Sequence, residues 1–356
     1  MKRTLSRTLA LLLILALCGL AACETSAPGA NGQTSGGEVR VYNWGDYIDE
    51  EVIQIFENET GIKVVYDTFD TNESMFGKVA NSPGYTYDVV IPSDYMIKRM
   101  IDADMLAELD FSNIPNFSLI GDQYKSKEYD PADAYSVPYM WGTVGILYNT
   151  TMVDKPVNSW RILWDEDFTK NLYMMDSVRD SIGVTLKMLG YSLNSTDIAQ
   201  LEAAEAELVA QKPLVLAYTG DEVKDAMIGG NAALSVVYSG DATTCILENP
   251  DLAYAVPEEG TNLWFDAMCI LKTAENKENG EKFIDFMCRT DIAEMNREYI
   301  NYSTPQTEVF EALPDEIRND PGQYPTEDVI EKSEVFVDLG ETVAYYDDLW
   351  WRVKLS

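Results

Sequence analysis

An α/β protein built in two halves is what this sequence predicts, on three observations. Short runs rich in Val, Ile and Tyr alternate with helical patterns, the signature of βαβ units and of mainly parallel sheets. The alternation runs through the first half and begins again in the second. Two segments, near "WGTVGILYN" and near "PEEGTNLW", cross between the halves, the connectivity of a hinged protein that takes its ligand between two lobes.

The elements follow in order. Val39 to Trp44 form the first strand, and a helix from about Asp49 to Thr60 places Val52, Ile55 and Phe56 at helical spacing until Gly61 stops it. "IKVVYDT" is the next strand. A further one, "YDVVIPS", runs into "DYMIKRMIDADML", where Met96, Ile97, Met100 and Ile101 make an apolar stripe. In the second half "NLYMMD" is a strand followed by a helix near Arg179 to Leu189. "STDIAQLEAAEAELVAQ" is a helix with Ile198, Leu201 and Leu208 on one face and Ser195 or Thr196 as its N-cap. "ALSVVYS" is extended again, and so is "LWFDAMCIL"; a helix around Glu278 to Cys288 then buries Phe283, Phe286 and Met287.

Residues 1–22 stand apart from the fold. Lys2, Arg3 and Arg7 precede an apolar run that ends in Leu20-Ala21-Ala22-Cys23, the pattern of a lipoprotein signal peptide whose cleavage leaves Cys23 to carry lipid. The apolar run is short of the ~20 residues a membrane-spanning helix needs. "ETSAPGANGQTSGGE" after it has no sizeable apolar side chain and reads as a tether, so residues 23–38 form an anchor and linker.

Net charge is −34, and three units more negative once the basic leader is removed. Nucleic acid is thereby excluded as a partner, since phosphate binding draws on clustered Lys and Arg, and a cationic ligand is weakly favoured. The chain contains no histidine, which removes the commonest general base and the commonest metal ligand. Cys245, Cys269 and Cys288 are isolated and set among apolar neighbours, as buried small hydrophobes are, although one disulfide among them stays open. Neither a dinucleotide fingerprint nor a phosphate loop occurs, so no cofactor and no metal are expected.

Ligands of open parallel sheets lie beyond the carboxyl ends of the strands. At those ends stand Trp44, Asp46 and Tyr47; Ser93, Asp94 and Tyr95; Ser177 and Asp180; Tyr238 and Asp241; Trp264, Phe265 and Asp266 join them from the extended run. Carboxylates and aromatic faces both attract ammonium groups, and the rings also cover methylenes, so the mixture suits an elongated aliphatic amine. Arg179 is the one cation at these strand ends. Each aspartate has an ordinary alternative: Asp46, Asp94 and Asp241 open or precede helices, where aspartate is a common N-cap. Trp44, Trp264 and Tyr302 are equally compatible with core rings or sugar-stacking platforms.

Several segments together carry a resemblance. "VYNWGDYIDEEVIQIFENETGIKVVYDTFDTNESMFGKV", "YDVVIPSDYMIKRM", "YSVPYMWGTVGILYN", "MLGYS", "LWFDAMCI" and "INYSTPQ" resemble, in order and spacing, the polyamine-binding proteins of bacterial ABC importers, the spermidine/putrescine PotD/PotF type. The resemblance runs from about residue 39 nearly to the C-terminus. It implies a two-lobed periplasmic-binding-protein fold (type II) with a hinge and an interlobe cleft. One lobe would comprise 39–145 and 265–310, the other 146–264 and 311–356. It implies a monomer, not an enzyme, that captures putrescine or spermidine outside the cytoplasm and hands it to a membrane permease.

Carried over by position, Trp44, Asp46 and Tyr47 would hold one end of the ligand, with Ser93 and Tyr95 beside them. Asp180 stands where the family has an amine-binding carboxylate, and Tyr238 where it has a stacking Trp. Trp264, Asp266 and Tyr302 match walls and a carboxylate of the pocket. Ser177 and Phe336 depart from the spermidine-type pattern, which has a carboxylate and a Gln there, while Asp241 matches putrescine-type members. Both ligands therefore stay open, as do two other readings: a binding protein for a sugar or another amine, and a surface glycosidase using paired carboxylates.

Overall fold

The computed structural model describes residues 36–356 apart from 83 and 85, and the expected signal peptide, Cys23 and most of the tether lie outside the described residues. Within them the chain forms β1 (Glu38–Trp44), α1 (Glu50–Thr60), β2 (Lys63–Phe69), α2 (Asn72–Asn81), β3 (Val89–Val90), α3 (Asp94–Asp102), β4 (Ser136–Asn149), β5 (Leu172–Met175), α4 (Val178–Met188), α5 (Ile198–Gln211), β6 (Val215–Thr219), α6 (Val223–Ile228), β7 (Leu234–Tyr238), α7 (Ser239–Glu248), β8 (Leu252–Ala255), β9 (Leu263–Ile270), α8 (Lys277–Met287) and α9 (Thr290–Ile300). Three short α-helices follow, and then the 13-residue terminal helix Val343–Leu355.

The strands run in the order β2-β1-β3-β9-β4-β7-β5-β6, with β8 also on β4. β4 holds the two halves together. Its residues Ser136 to Thr143 pair with β9, and Val144 to Tyr148 pair with β7, so a single continuous strand changes partner at Thr143/Val144. β8 pairs with the far end of β4, and the chain from 256 to 262 then returns to begin β9.

Mainly parallel pairing is the first expectation the structure corrects. β1–β2, β1–β3, β5–β6 and β5–β7 are parallel, but β3–β9 and every pairing of β4 are antiparallel. The strands that cross between halves arrive from the opposite direction, and local periodicity carries no record of direction. "YDVVIPS" contributes only two ladder residues, because Ile91 onward leaves the sheet toward α3.

Local sequence explains most helix ends. Asp49 caps α1 by accepting from Glu51 N, and Gly61 closes it at φ 68°, the left-handed region a glycine enters freely. Asp197, rather than Ser195 or Thr196, caps α5, accepting from Ala199 N and Gln200 N. Ser195 instead donates its hydroxyl to Gln200 Oε1. Leu201 and Leu208 are buried as expected, but Ile198 is 45% exposed because it sits in the first turn, outside the covered face. Met96, Ile97 and Met100 are fully buried beneath α3, and Phe283, Phe286 and Met287 are buried beneath α8.

One core cluster runs along both sides of β4, from Val39 and Phe56 to Trp160, Leu172 and Phe283. A second gathers Tyr42, Phe69, Met75, Met96 and Phe265; a third joins α4 and α5 to the terminal helix through Leu186, Leu201, Tyr346 and Leu349. Cys245, Cys269 and Cys288 are buried and free, which settles the open disulfide. Among the described residues no helix is long and apolar enough to cross a membrane.

Candidate functional site

β9 runs antiparallel to β3, so its first residues lie at the edge where the parallel strands end. That direction brings Trp264 and Asp266 to the carboxyl ends of β1 and β3, and Ser93 forms an isolated bridge with Asp266. Asp266 is 6% exposed. Tyr47 donates its hydroxyl to Asp266 Oδ2 at 2.8 Å, while Asp266 Oδ1 is buried without a hydrogen-bond partner. Burial pushes the Asp266 carboxyl up to about 6, and the hydroxyls of Ser93 and Tyr47 work against that rise.

Aromatic rings enclose this carboxylate. Tyr302 stands edge-on to Trp264 at 5.0 Å between centroids and to Tyr47 at 5.8 Å; Tyr238 stands edge-on to Trp264 at 5.9 Å. Tyr139 supports the group from below, its hydroxyl donating to Tyr47 O at 2.8 Å. Two glycines make room. A Cβ at Gly142 would lie 2.6 Å from the Trp264 ring, and one at Gly240 would lie 2.3 Å from the Tyr302 ring. Both rings therefore lie against bare backbone, a contact only glycine permits.

A second carboxylate sits on the other half. Asp180, in the first turn of α4 and 4% exposed, accepts from the hydroxyls of Ser177 at 2.6 Å and Tyr238 at 2.9 Å, and from Asn262 Nδ2 at 3.4 Å. Burial raises its pKa and those three donors oppose the rise. The Trp264–Tyr238 contact thus joins the Asp266 group to the Asp180 group.

Helix capping accounts for none of the three aspartates in the way it was expected to. Asp46 is exposed at φ 48° and leaves the cap of α1 to Asp49. Asp94 lies inside α3 and ties it to β9, accepting from Tyr95 N at 2.7 Å and Phe265 N at 3.0 Å, and burial pushes it up to about 8 against those bonds. Asp241 is in the first turn of α7 and pairs with Lys224, Nζ to Oδ1 at 3.4 Å.

The expected residues do not all converge. Tyr47, Ser93, Asp180, Tyr238, Asp241, Trp264, Asp266 and Tyr302 share one contiguous group. Trp44 leans on Phe69 at 4.5 Å, with its buried Nε1 unpartnered. Asp46 stands in solvent, its charge acting on Tyr66 and Lys224. Tyr95 belongs to a different cluster, where its hydroxyl donates to Glu73 Oε1 at 2.9 Å and its ring meets Phe336 at 6.3 Å. Arg179 lies over both rings, 5.5 and 4.2 Å from their centroids, and donates to Val337 O and Asn194 Oδ1.

Sequence reasoning missed Gly142, Gly240, Asn262 and Lys224. The glycines announce no chemistry, and Asn262 lies in a connection. Lys224 corrects the expectation that Arg179 is the only cation at this edge: it comes from a short helix, so a survey of strand ends passes over it.

Comparison with known proteins gives the family. The family model described as bacterial extracellular solute-binding protein matches residues 51–326. The spermidine/putrescine-binding periplasmic protein of Salmonella typhimurium is 34% identical over 314 residues, covering 88% of this chain and 90% of its own length. A structure assigned to a spermidine/putrescine ABC transporter of Listeria monocytogenes superposes with a TM-score of 0.85 at 42% identity, covering 89% of this chain and 99% of that one. The substrate-binding protein PotD of Streptococcus pneumoniae, solved with calcium and HEPES, gives 0.80 at 41%, with 90% and 99% covered. Those neighbours share the two-lobed type II fold of periplasmic solute-binding proteins, as this chain does. The chain belongs to the bacterial extracellular solute-binding proteins, and groups there with those named for spermidine and putrescine.

Proposed function

We infer that this chain is the extracytoplasmic receptor of an ABC importer, that it captures putrescine or spermidine between its lobes, and that it delivers the amine to a membrane permease. One observation carries the reading: Asp266 Oδ1, a buried carboxylate oxygen with no partner inside a box of Tyr47, Trp264 and Tyr302. An oxygen in that state is strongly stabilised by an ammonium donor. Its likeness to relatives named for these amines supports the same conclusion.

Magnitudes favour an enclosed site. Exposed ion pairs contribute only ~0 to 1 kcal/mol, whereas a cation on an aromatic face gains about 2 kcal/mol once desolvated. Micromolar capture needs roughly −8.2 kcal/mol, so Asp266, Asp180 and the rings between them act together on one ligand. Asp46 and Trp44 would complete one end, and Tyr95 would line the far wall.

The lobes divide at 39–145 with 265–310 and at 146–264 with 311–356, the hinge lying where β4 changes partner. The terminal helix packing on α4 and α5 supports the second lobe, while Gln323 and Tyr324 reach back to Ser303 and Trp141 of the first. The chain acts as a monomer without catalysis, held at the membrane by lipid on Cys23. Mass spectrometry of membrane-extracted protein would show a diacyl or triacyl Cys23; a free N-terminus upstream of it would refute the anchor.

Titration calorimetry against amines, sugars and amino acids tests the central reading. Saturable heat with putrescine or spermidine is expected, together with a more compact scattering profile. Binding of a sugar alone, or turnover of model glycosides, would overturn it.

A further inference from the structure

Asn262 lies in the connection that leads into β9, and its backbone is tied to the point where β4 changes partner, with Val144 N donating to Asn262 O at 3.3 Å. Its side chain is buried beside Asp180. An ionised carboxylate only accepts hydrogen bonds, so the amide turns Nδ2 toward Asp180 Oδ1, at 3.4 Å, and this leaves Oδ1 of the same planar amide close to the carboxylate. Asn262 Oδ1 is buried with no hydrogen-bond partner, as Asp266 Oδ1 is at the other carboxylate. Steadying Asp180 does not account for this amide. Ser177 and Tyr238 already hold Asp180 Oδ2 at 2.6 and 2.9 Å, whereas 3.4 Å lies beyond the usual N–H to O range. A buried acceptor without a donor destabilises the fold, and a donor that arrives with the ligand removes that cost.

We propose that Asn262 is a ligand-binding residue: its Oδ1 accepts an N–H from the ammonium that Asp180 attracts, so that carboxylate and amide grip that end of the amine together. The proposal rests on the polyamine reading above. A primary ammonium carries three N–H donors, and in a site closed to water each donor left unaccepted weakens binding. Asp180 cannot accept all three. Two hydroxyls already occupy its Oδ2, so Oδ1 is the oxygen left for a cation, and the Asn262 amide offers a further acceptor beside it. This oxygen adds an acceptor without adding a charge, so no second anion has to be desolvated next to Asp180 when the site is empty. An amide that only steadied Asp180 would act through Nδ2 instead.

Calorimetric affinities for putrescine and spermidine at pH 7.5, taken on the full mature chain and on Asn262→Leu and Asn262→Asp, separate the two roles. Both substitutions remove the Nδ2 donor, but only Asn262→Asp keeps acceptor oxygens at this position. Asn262→Leu is expected to weaken the tighter-binding amine at least tenfold with an unchanged circular dichroism spectrum, and Asn262→Asp to stay within threefold of the parent. Asn262→Leu binding within threefold of the parent refutes the proposal. So does Asn262→Asp weakened as much as Asn262→Leu, the outcome of a donor that merely steadies Asp180. Should Asn262→Leu fail to fold, Asn262→Ala is read by the same criterion. A parent chain that binds neither amine overturns the functional reading and this inference with it. Parent binding with either refuting result overturns this inference alone.

Discussion

Replacing Asp266 by Asn is expected to make the ligand-free protein more stable and a far poorer receptor. Burial raises the Asp266 carboxyl from 3.8 to about 6. At about 1.4 kcal/mol per pH unit, keeping this group ionised at pH 7.5 costs the folded state about 3 kcal/mol. The sign follows from the direction of the shift. The folded protein holds this proton more tightly than the unfolded chain, so the group's contribution is most favourable below pH ~3.8 and is lost as pH rises through about 6. Asp266→Asn removes that loss and still leaves an oxygen for the Tyr47 hydroxyl. With an unfolding entropy of about 2.1 cal/mol/K per residue, the gain corresponds to roughly 4 °C in Tm at pH 7.5 and to nearly nothing at pH 4.

Binding moves the other way. Truncating one partner of a buried charge pair costs about 2–5 kcal/mol, roughly 30- to 5,000-fold in Kd. In the parent chain affinity should also fall about tenfold per pH unit below pH 6, as Asp266 takes up its proton, and the variant should lose that dependence. Paired calorimetric titrations and melting curves between pH 4 and pH 8 measure both effects. A variant that binds within threefold of the parent, or one that is destabilised at pH 7.5, would refute the assignment of Asp266 as the strained, ligand-seeking carboxylate.

Other substitutions probe the surroundings. Tyr47→Phe deletes the donor to Asp266 Oδ2 and should raise that carboxyl further, weakening amine binding about 10- to 100-fold with little change in circular dichroism. Gly240→Ala puts a Cβ 2.3 Å from Tyr302, so the ring must move; at least tenfold weaker binding and about 1–3 kcal/mol lower stability are expected from denaturant titration. Asp49→Ala removes the α1 cap and should cost about 1 kcal/mol while leaving Kd unchanged, which separates the cap from Asp46 three residues earlier.

What the sequence disclosed, and what it hid, follows from how each residue reaches the site. Tyr47, Asp180 and Tyr238 were legible as candidates because each lies at or just past the end of a recognisable extended run, and such ends converge in α/β proteins. Ser93 and Asp241 were legible for the same reason. Trp264 and Asp266 stood out as an aromatic and a carboxylate near the start of one such run. Lys224 was not, since it projects from a six-residue helix whose placement depends on α7 packing beside it. Gly142 and Gly240 were silent because their importance is a distance to a ring more than twenty residues away in sequence. The N-cap of α5 was misplaced by one or two residues because Ser195, Thr196 and Asp197 are all competent caps, and only tertiary contacts choose among them. Strand direction, lost to periodicity, turned out to matter most: it is the antiparallel entry of β9 that delivers Trp264 and Asp266.

β4 gives that topology one further meaning. Because its first eight residues complete one half of the sheet and the remainder completes the other, neither lobe owns all of its own strands. A chain divided between the lobes would leave one half with an unpaired edge at its centre. The protein should therefore unfold in a single cooperative transition despite its two-lobed shape, and isolated half-chains should aggregate rather than fold. The same shared strand is where a hinge between the lobes would bend without breaking a ladder, so such a motion and the cooperativity that protects the fold would have one origin.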